Sequence, residues 1–424
     1  MQTVRGVLVR RRAAVIGSLL CVAGAALHPA PAAVGAPPSA VAPADPAVVT
    51  AMHRPTVTSV EPDPVAPADQ AAATPVDRSG TTPPGSRARP ARARRVTVAV
   101  TGDVLPHQPV LQAARDGDGY DFAPLLRGIR GPIGRADLAL CHLEVPLARD
   151  HERLSTYPVF NAPPELADGL AAVGYDGCSV ASNHSFDQGV AGVRATLEAL
   201  DRAGLGHAGT ARTRRESRRI RQYRVDGVRI AHLSYTYGLN GFVLPADRPW
   251  LVNLIDRDRI LRDARRARRE RADVVLVSLH WGTEYVAEPT QQQRRLARRL
   301  LASPHIDALV GHHAHVVQPV ERVGGKVVVY GLGNLLSNQS AACCAAATQD
   351  GVVVALTFAG VPGERFEVGA VRYWPTIVRH PQRRVVLVER LLSRTGDPDL
   401  RRQLEASRRR TRAVIGDVAT PGGR

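Results

Sequence analysis

Lysine is nearly absent from this chain: Lys326 is the only one, so the net charge of +17 rests on arginine. Aromatic residues make up only 4% of the sequence, and zinc-finger spacing, CxxC pairs and basic strands interleaved with aromatics are missing, so no nucleic acid partner is expected. Cysteine is sparse. Cys21 lies in an apolar leader, Cys141 and Cys178 sit in apolar strand-like runs where free buried thiols are common, and Cys343 and Cys344 are adjacent. In an exported protein a disulfide is an open option, but the sequence assigns none. The apolar core of the leader, Ala13 to Leu27, is too short for a comfortable membrane span.

Residues 1–32 read as an export signal. Arg5 and Arg10 to Arg12 give a positive start, and Ala30-Pro31-Ala32 a small-residue cleavage pattern. An uncleaved N-terminal anchor is the alternative. Leu20 before Cys21 argues against a lipoprotein signal, and the arginines lack a fuller twin-arginine pattern. Residues 33–95 are rich in Pro, Ala, Asp and Arg with little large apolar content, so burial there cannot offset ordering entropy; they read as a disordered linker. A folded domain is expected over 96–390 and a basic tail over 391–424, with a helix from about Pro398 and a frayed end. Uniform arginine alongside abundant Ala, Gly, Pro and Val fits a biased codon composition. The functional alternative is attraction to an anionic envelope polymer, a membrane surface or a phosphoester substrate.

From Val96 onward strands and helices alternate. VTVAV (96–100), DLALCH (137–142), Cys178 to Ala181, Val228 to Ser234, Asp273 to Leu279 and Ile306 to Val310 read as strands. Helical spacing covers 164–173, 190–203, 256–271 and 289–302; more strands are expected near 326–330, 351–358, 366–374 and 383–389. No internal repeat stands out. This order predicts a layered α/β domain with its sites at strand ends.

The most informative stretch is VGHHAHVVQP (310–319), where histidines stand at three of four positions just past an apolar strand. His313 and His315 are the expected ligands, with His312 a spacer or supporting residue. Other strands end on the same kind of residue: Asp103 after the first, Glu144 after the second, Asn183-His184-Ser185-Phe186-Asp187 after the third, and His280 on a later one. Each is weak alone, since an acid after a strand often caps a helix or forms a turn. Five successive strands delivering such groups are a stronger signal. Oxygen and imidazole donors suit one or two divalent ions, Mn, Mg, Fe or Zn, rather than a thiolate site. Asp187 either orients His184 or caps the following helix. Trp281 and Glu284 line a substrate wall or simply pack, and Gln318 and Asn334 bind substrate or satisfy backbone groups.

In combination, TGDVL at 101, CHLEVPL at 141, VASNHSFDQG at 180, HAGT at 207, LHWGTEY at 279, GHHAHVVQP at 311 and VYGLGN at 329 resemble the CapA family. These are the capsule and poly-gamma-glutamate biosynthesis proteins of the calcineurin-like metallophosphoesterase superfamily, and the resemblance spans about 96–340. It implies an α/β metallophosphoesterase-like sandwich of two mixed β-sheets flanked by helices. It also implies Asp103 and His315 at a first metal, Asn183, His280 and His313 at a second, Glu144 bridging them, and His184 beside the metals as a general acid or electrostatic stabiliser rather than a ligand. Two ions would clamp an anionic ester and activate water. The implied role is an exported, envelope-associated, metal-dependent hydrolase of phosphoesterase type working with the capsule-synthesis machinery. The alternatives are a non-catalytic polymer-binding or export component and a polyglutamate amide hydrolase. Two departures stand out. Leu105 occupies the position where the superfamily's first motif has histidine, His107 being out of register, and His142 stands where asparagine is common. His142, expected on the same strand face as Glu144, is an extra ligand, a supporting group or only a strand-end residue.

Overall fold

A computed structural model describes residues 92–423. The leader at 1–32 and the linker up to residue 91 lie outside the described residues. The strands, in chain order, are β1 (Arg94–Val104), β2 (Leu138–Leu143), β3 (Gly177–Ser179), β4 (Gly206–Ala208), β5 (Arg221–Val225), β6 (Val228–Thr236), β7 (Val274–His280) and β8 (Ala308–His312). They continue as β9 (Val320–Val323), β10 (Lys326–Val329), β11 (Asn334–Leu336), β12 (Asp350–Gly360), β13 (Glu367–Arg379), β14 (Arg384–Leu387) and β15 (Thr420–Pro421). The main helices are α1 (Gln108–Ala113), α2 (Glu165–Val173), α3 (Gly189–Arg202), α4 (Arg257–Arg269), α5 (Gln291–Leu301), α6 (Val388–Leu392) and α7 (Pro398–Ile415).

Besides a short ribbon of Arg115–Asp116 against Gly119–Tyr120, there are two large sheets: one runs β14-β13-β12-β1-β2-β3-β4, with β11 beside β1 and β15 beside β13; the other runs β9-β10-β8-β7-β6-β5. Both are mixed. In the first, β1 to β4 are parallel while β12, β13 and β14 return antiparallel. In the second, β6, β7, β8 and β10 are parallel and the edge strands β5 and β9 antiparallel.

Alternation along the strands decides the layering. Val96, Val98 and Val100 of β1, with Leu138 and Leu140 of β2, point into one core with Ile230, Val274, Leu276, Ala308 and Val310 of the other sheet. The opposite face of the first sheet, with Ala99, Cys141 and Cys178, packs under α1, α2 and α3. The opposite face of the second, with Val275, Val277 and Leu309, packs under Ile260 and Ala264 of α4 and Ala297 and Leu300 of α5. The result is the expected sandwich of two mixed sheets with helices on both outer faces. Central strand β7 is buried along its whole length, which explains its unbroken apolar reading.

Three details depart from the sequence reading. The first strand starts at Arg94 rather than Val96, because its first residues pair with the long return strand β12. The expected strand over 383–389 stops at Leu387 and turns into α6. The C-terminal segment is no tail. Leu404, Thr411 and Ile415 of α7 are buried, Arg410 Nε lies 2.6 Å from Asp350 Oδ2, and Thr420–Pro421 adds to β13 where fraying was expected. Cys141 and Cys178 face one another in register on β2 and β3 and form a disulfide, correcting the free-thiol reading.

Candidate metal centre

The parallel strands of both sheets end at one rim, so loops from opposite layers meet there. Asp103 sits at the end of β1, where a bulge shifts its register against β2. Gly102 permits this: a Cβ there would lie 2.0 Å from the Gly333 carbonyl oxygen, whose strand crosses closely enough to accept the Asp103 amide. Past β8, His313 and His315 take φ of 90° and 55°, a left-handed conformation that non-glycine residues avoid. Both side chains of this turn enter donor sets, and such backbone strain concentrates at functional sites.

All six expected metal ligands converge. The His313 amide donates to Asp103 Oδ2 over 3.1 Å, and His315 Nδ1 lies 3.1 Å from the same oxygen. His315 Nε2 and His280 Nε2 approach Glu144 Oε1 to 3.6 and 3.8 Å, and His280 Nε2 also lies 2.8 Å from Asn183 Oδ1. Donor atoms of Asp103, Glu144 and His315 lie within 4.8 Å of one another, as do those of Glu144, His280 and His313. Glu144 thus belongs to two sets at once, the placement a bridging carboxylate needs.

Two histidines enter more deeply than their sequence reading. His312 is no spacer: its Nδ1 stands 3.3 Å from Asp103 Oδ1 and its ring stacks on His142 at 4.0 Å between centroids. His142 in turn reaches His280 Nδ1 over 3.0 Å and Ser179 Oγ over 2.8 Å, and Asp103, His142 and His312 form a further donor set. Sequence gave the strand-end placement of both but no sign that rings from two sheets would stack. Leu105 is buried in the core, and His107 packs edge-on to Phe160 with its Nδ1 accepting from the Asn338 amide, outside the donor sets.

His184 Nδ1 lies 2.8 Å from Asp187 Oδ2, which also accepts the Phe160 amide. The N-cap of α3 is Gln188, so Asp187 orients His184 and does not cap the helix. Asn240, unforeseen from sequence, accepts from Asn183 Nδ2 at 3.1 Å and approaches His184 Nδ1 at 3.4 Å. Tyr237 lies 4.6 Å from His313 ring to ring. Both belong to a loop that local sequence could not aim.

The softer candidates divide. Trp281 is buried with its Nε1 donating to the Tyr330 carbonyl, and fully buried Gln318 accepts from Gln293 and donates to the Val286 carbonyl; both are committed to bracing. Asn334 Oδ1 lies 3.1 Å from His315 Nδ1, so it positions that ring. Glu284 shares a donor set with His313 and His315 at the more open side.

Electrostatics test the fit to a cation. Burial pushes the Glu144 carboxyl well above its usual range, and neither of its oxygens has a hydrogen bond. Burial would also raise Asp103, but the His312 and His315 rings outweigh it and hold it well below. Burial lowers His142 and His280, and with help from His315 brings His313 down to about 3, keeping these rings neutral as ligation requires. Burial would lower His315 too, yet Glu144 and Asp103 raise it to about 9. The same two carboxyls that raise His315 mark the centre as one that favours a positive charge between them. Orphaned carboxylate oxygens among five imidazoles fit one or two divalent ions.

Fold and site together define an α/β sandwich whose strand ends gather buried carboxylates and imidazoles that could hold a divalent metal. Residues 97–339, more than half of the chain, match the family of the bacterial capsule synthesis protein PGA_cap, and the chain belongs to that family. It is 26% identical to the capsule biosynthesis protein CapA of Bacillus anthracis over 58% of this chain and 60% of that protein. It is 34% identical to the PGA biosynthesis protein CapA of Bacillus subtilis over 38% of this chain and 42% of that one. The chain thus spans about half the length of these relatives. Among solved structures, the calcineurin-like phosphoesterase YfkN from Bacillus subtilis aligns over 76% of this chain and 98% of that chain at 14% identity, with a TM-score of 0.42. No helix among the described residues is long and apolar enough to cross a membrane.

Proposed function

We propose that this capsule-related protein is an exported, metal-dependent hydrolase of phosphoesterase type, acting at the cell envelope on an anionic substrate in capsule or poly-gamma-glutamate metabolism. The observation that carries the reading is Glu144, buried without hydrogen bonds and common to two donor sets, beside the His184–Asp187 pair. In this reading Asp103 and His315 hold a first ion, with His142 and His312 supplying the imidazoles that Leu105 does not. Asn183, His280 and His313 hold a second, and Glu144 serves both. Divalent ions bound there would polarise an anionic ester and acidify water.

The chain's own residues do the rest. His184, with Nδ1–H directed to Asp187, presents Nε2 as the proton donor to a leaving oxygen. Asn240 accepts from Asn183 Nδ2 and lies beside the His184 ring, between a proposed metal ligand and the proposed acid. The exported location, the envelope polymer as substrate and contacts with the capsule-synthesis machinery belong to the same proposal.

Metal analysis of the purified full chain, followed by turnover of a soluble phosphodiester, tests it. The expected result is one or two equivalents of a divalent metal, hydrolysis abolished by chelation, and loss of metal in Asp103→Asn and His313→Ala. Metal without turnover of phosphodiester or polymer would leave the non-catalytic reading, and cleavage of polymer amide bonds alone would replace phosphoester chemistry.

A further inference from the structure

Helices α4 and α5 lie side by side on the outer face of the second sheet, each held down by a narrow apolar stripe: Ile260, Ala264 and Ala267 on one, Ala297 and Leu300 on the other. The rest of their surface is mostly arginine. Residues 256–271 carry eight arginines against four carboxylates and residues 289–302 four against none, a net charge of +8 out of the +17 of the whole chain. Neighbouring acids do not cancel it. With Glu288, Asp307 and Glu321, which pair into this layer, twelve arginines still face seven carboxylates.

The pairing shows which arginines are left over. Asp258 is held by Arg257, Asp263 by Arg259 and Arg266, Asp307 by Arg268, and Glu288 and Glu321 by Arg294; Asp256 caps α4 and Glu270 lies 3.9 Å from Arg266. Arg262, Arg265 and Arg269 on α4 and Arg295, Arg298 and Arg299 on α5 are exposed and make no ion pair among the described residues. At 3.6 residues per turn each trio lies opposite its helix's apolar stripe, so two solvent-facing ridges run abreast, about 8–10 Å apart. Arg262 and Arg265, Arg265 and Arg269, and Arg295 and Arg299 are like-charged neighbours one turn apart, an arrangement that weakens a helix unless an anion meets it. A biased codon composition accounts for arginine in place of lysine, not for this clustering.

We infer that α4 and α5 form a docking face for a linear polycarboxylate, an extended chain with an acid on each repeat. The guanidinium fork matches a carboxylate, and ridges on rigid helices meet several repeats at once. Neither helix carries an aromatic residue on which bases could stack, and neither exposes a large apolar side chain that could enter a bilayer. The face shares no residue with the donor sets at the strand ends, so polymer held there leaves the metal centre open. The docking stands on the arginines; the choice of a polycarboxylate over other linear anions rests on the capsule and poly-gamma-glutamate reading above.

The test titrates the full chain into fluorescently labelled poly-gamma-glutamate, read by anisotropy with and without chelator. Binding should weaken as salt is added and should not change on chelation. Arg262→Gln, Arg265→Gln and Arg269→Gln together should weaken it about tenfold, with Tm unchanged because no ion pair is lost. Arg394→Gln, Arg401→Gln and Arg409→Gln, exposed on the C-terminal segment, remove the same charge and should alter binding less than about twofold. Equal loss in the two triple variants would reduce the effect to net charge and overturn the inference. Absence of binding, binding that the α4 variant leaves intact, or binding lost on chelation would overturn it as well, the last by moving the polymer to the metal centre. Polyphosphate, duplex DNA or phosphatidylglycerol vesicles bound as tightly as the polymer would overturn the polycarboxylate as partner. Anisotropy needs no turnover, so failure of the docking face and failure of the hydrolase reading are told apart.

Discussion

At the residue scale, Asp187 shows how a local reading is resolved by a distant group. Its position before α3 suits a cap, yet its Oδ2 is taken by the His184 ring and the Phe160 amide, the latter 27 residues away. Asp187→Asn removes the charge that holds the His184 tautomer while keeping the shape. The proposed hydrolysis should fall in kcat by up to about 100- to 10,000-fold, the range of general acid–base contributions, with metal content unchanged by atomic absorption. His232 offers a second prediction. Burial, then His312, holds its ring down at about 3, so the unfolded chain binds the extra proton between about pH 6.5 and 3. Stability from this residue is therefore complete above pH 6.5 and lost as pH falls toward 3. His232→Gln should flatten the decline of Tm between pH 6.5 and 4 relative to wild type, as read by thermal unfolding across that range.

At the element scale, strand ends were legible and their encounters were not. Asp103, Glu144, Asn183, His280, His313 and His315 each follow a β-branched or apolar run, and the period-2 pattern places them at one rim. The stacking of His142 on His312 and the aim of Asn240 depend on how two sheets face each other, which no window of one strand encodes. The Cys141–Cys178 disulfide is likewise a matter of register between β2 and β3. Close crossing is the other hidden constraint. A Cβ on Gly311 would lie 1.7 Å from the Tyr330 carbonyl oxygen, a backbone atom with nowhere to go. Gly311→Ala should displace β8 and its histidines and cost several kcal/mol in urea unfolding, as overpacking at a backbone contact does.

For the whole molecule, four layers meet at a site that neither sheet holds alone. Asp103, Glu144 and Asn183 come from one layer and His280, His313 and His315 from the other, so an ion held between them stitches the sandwich across its rim. Chelation should then lower Tm of the metal-loaded protein. At a metal concentration 100 times Kd the linkage amounts to about 2.7 kcal/mol, recovered when the divalent ion is restored. Equal Tm with and without chelator, in protein shown to carry metal, would remove the stitching role.

By itself the sequence determined the kind of residue at each strand end, the alternation that makes two buried sheets, and through its motifs the family. It left the C-terminal helix outside the domain and gave His312 no more than a spacer or supporting part. Tertiary structure decided both, because burial of Leu404 and Ile415 and the 3.3 Å approach of His312 to Asp103 join segments far apart in the chain. Periodicity is a local property, set by bonds between neighbours; the meeting of rings across a sandwich is set by packing, which only the folded chain brings about.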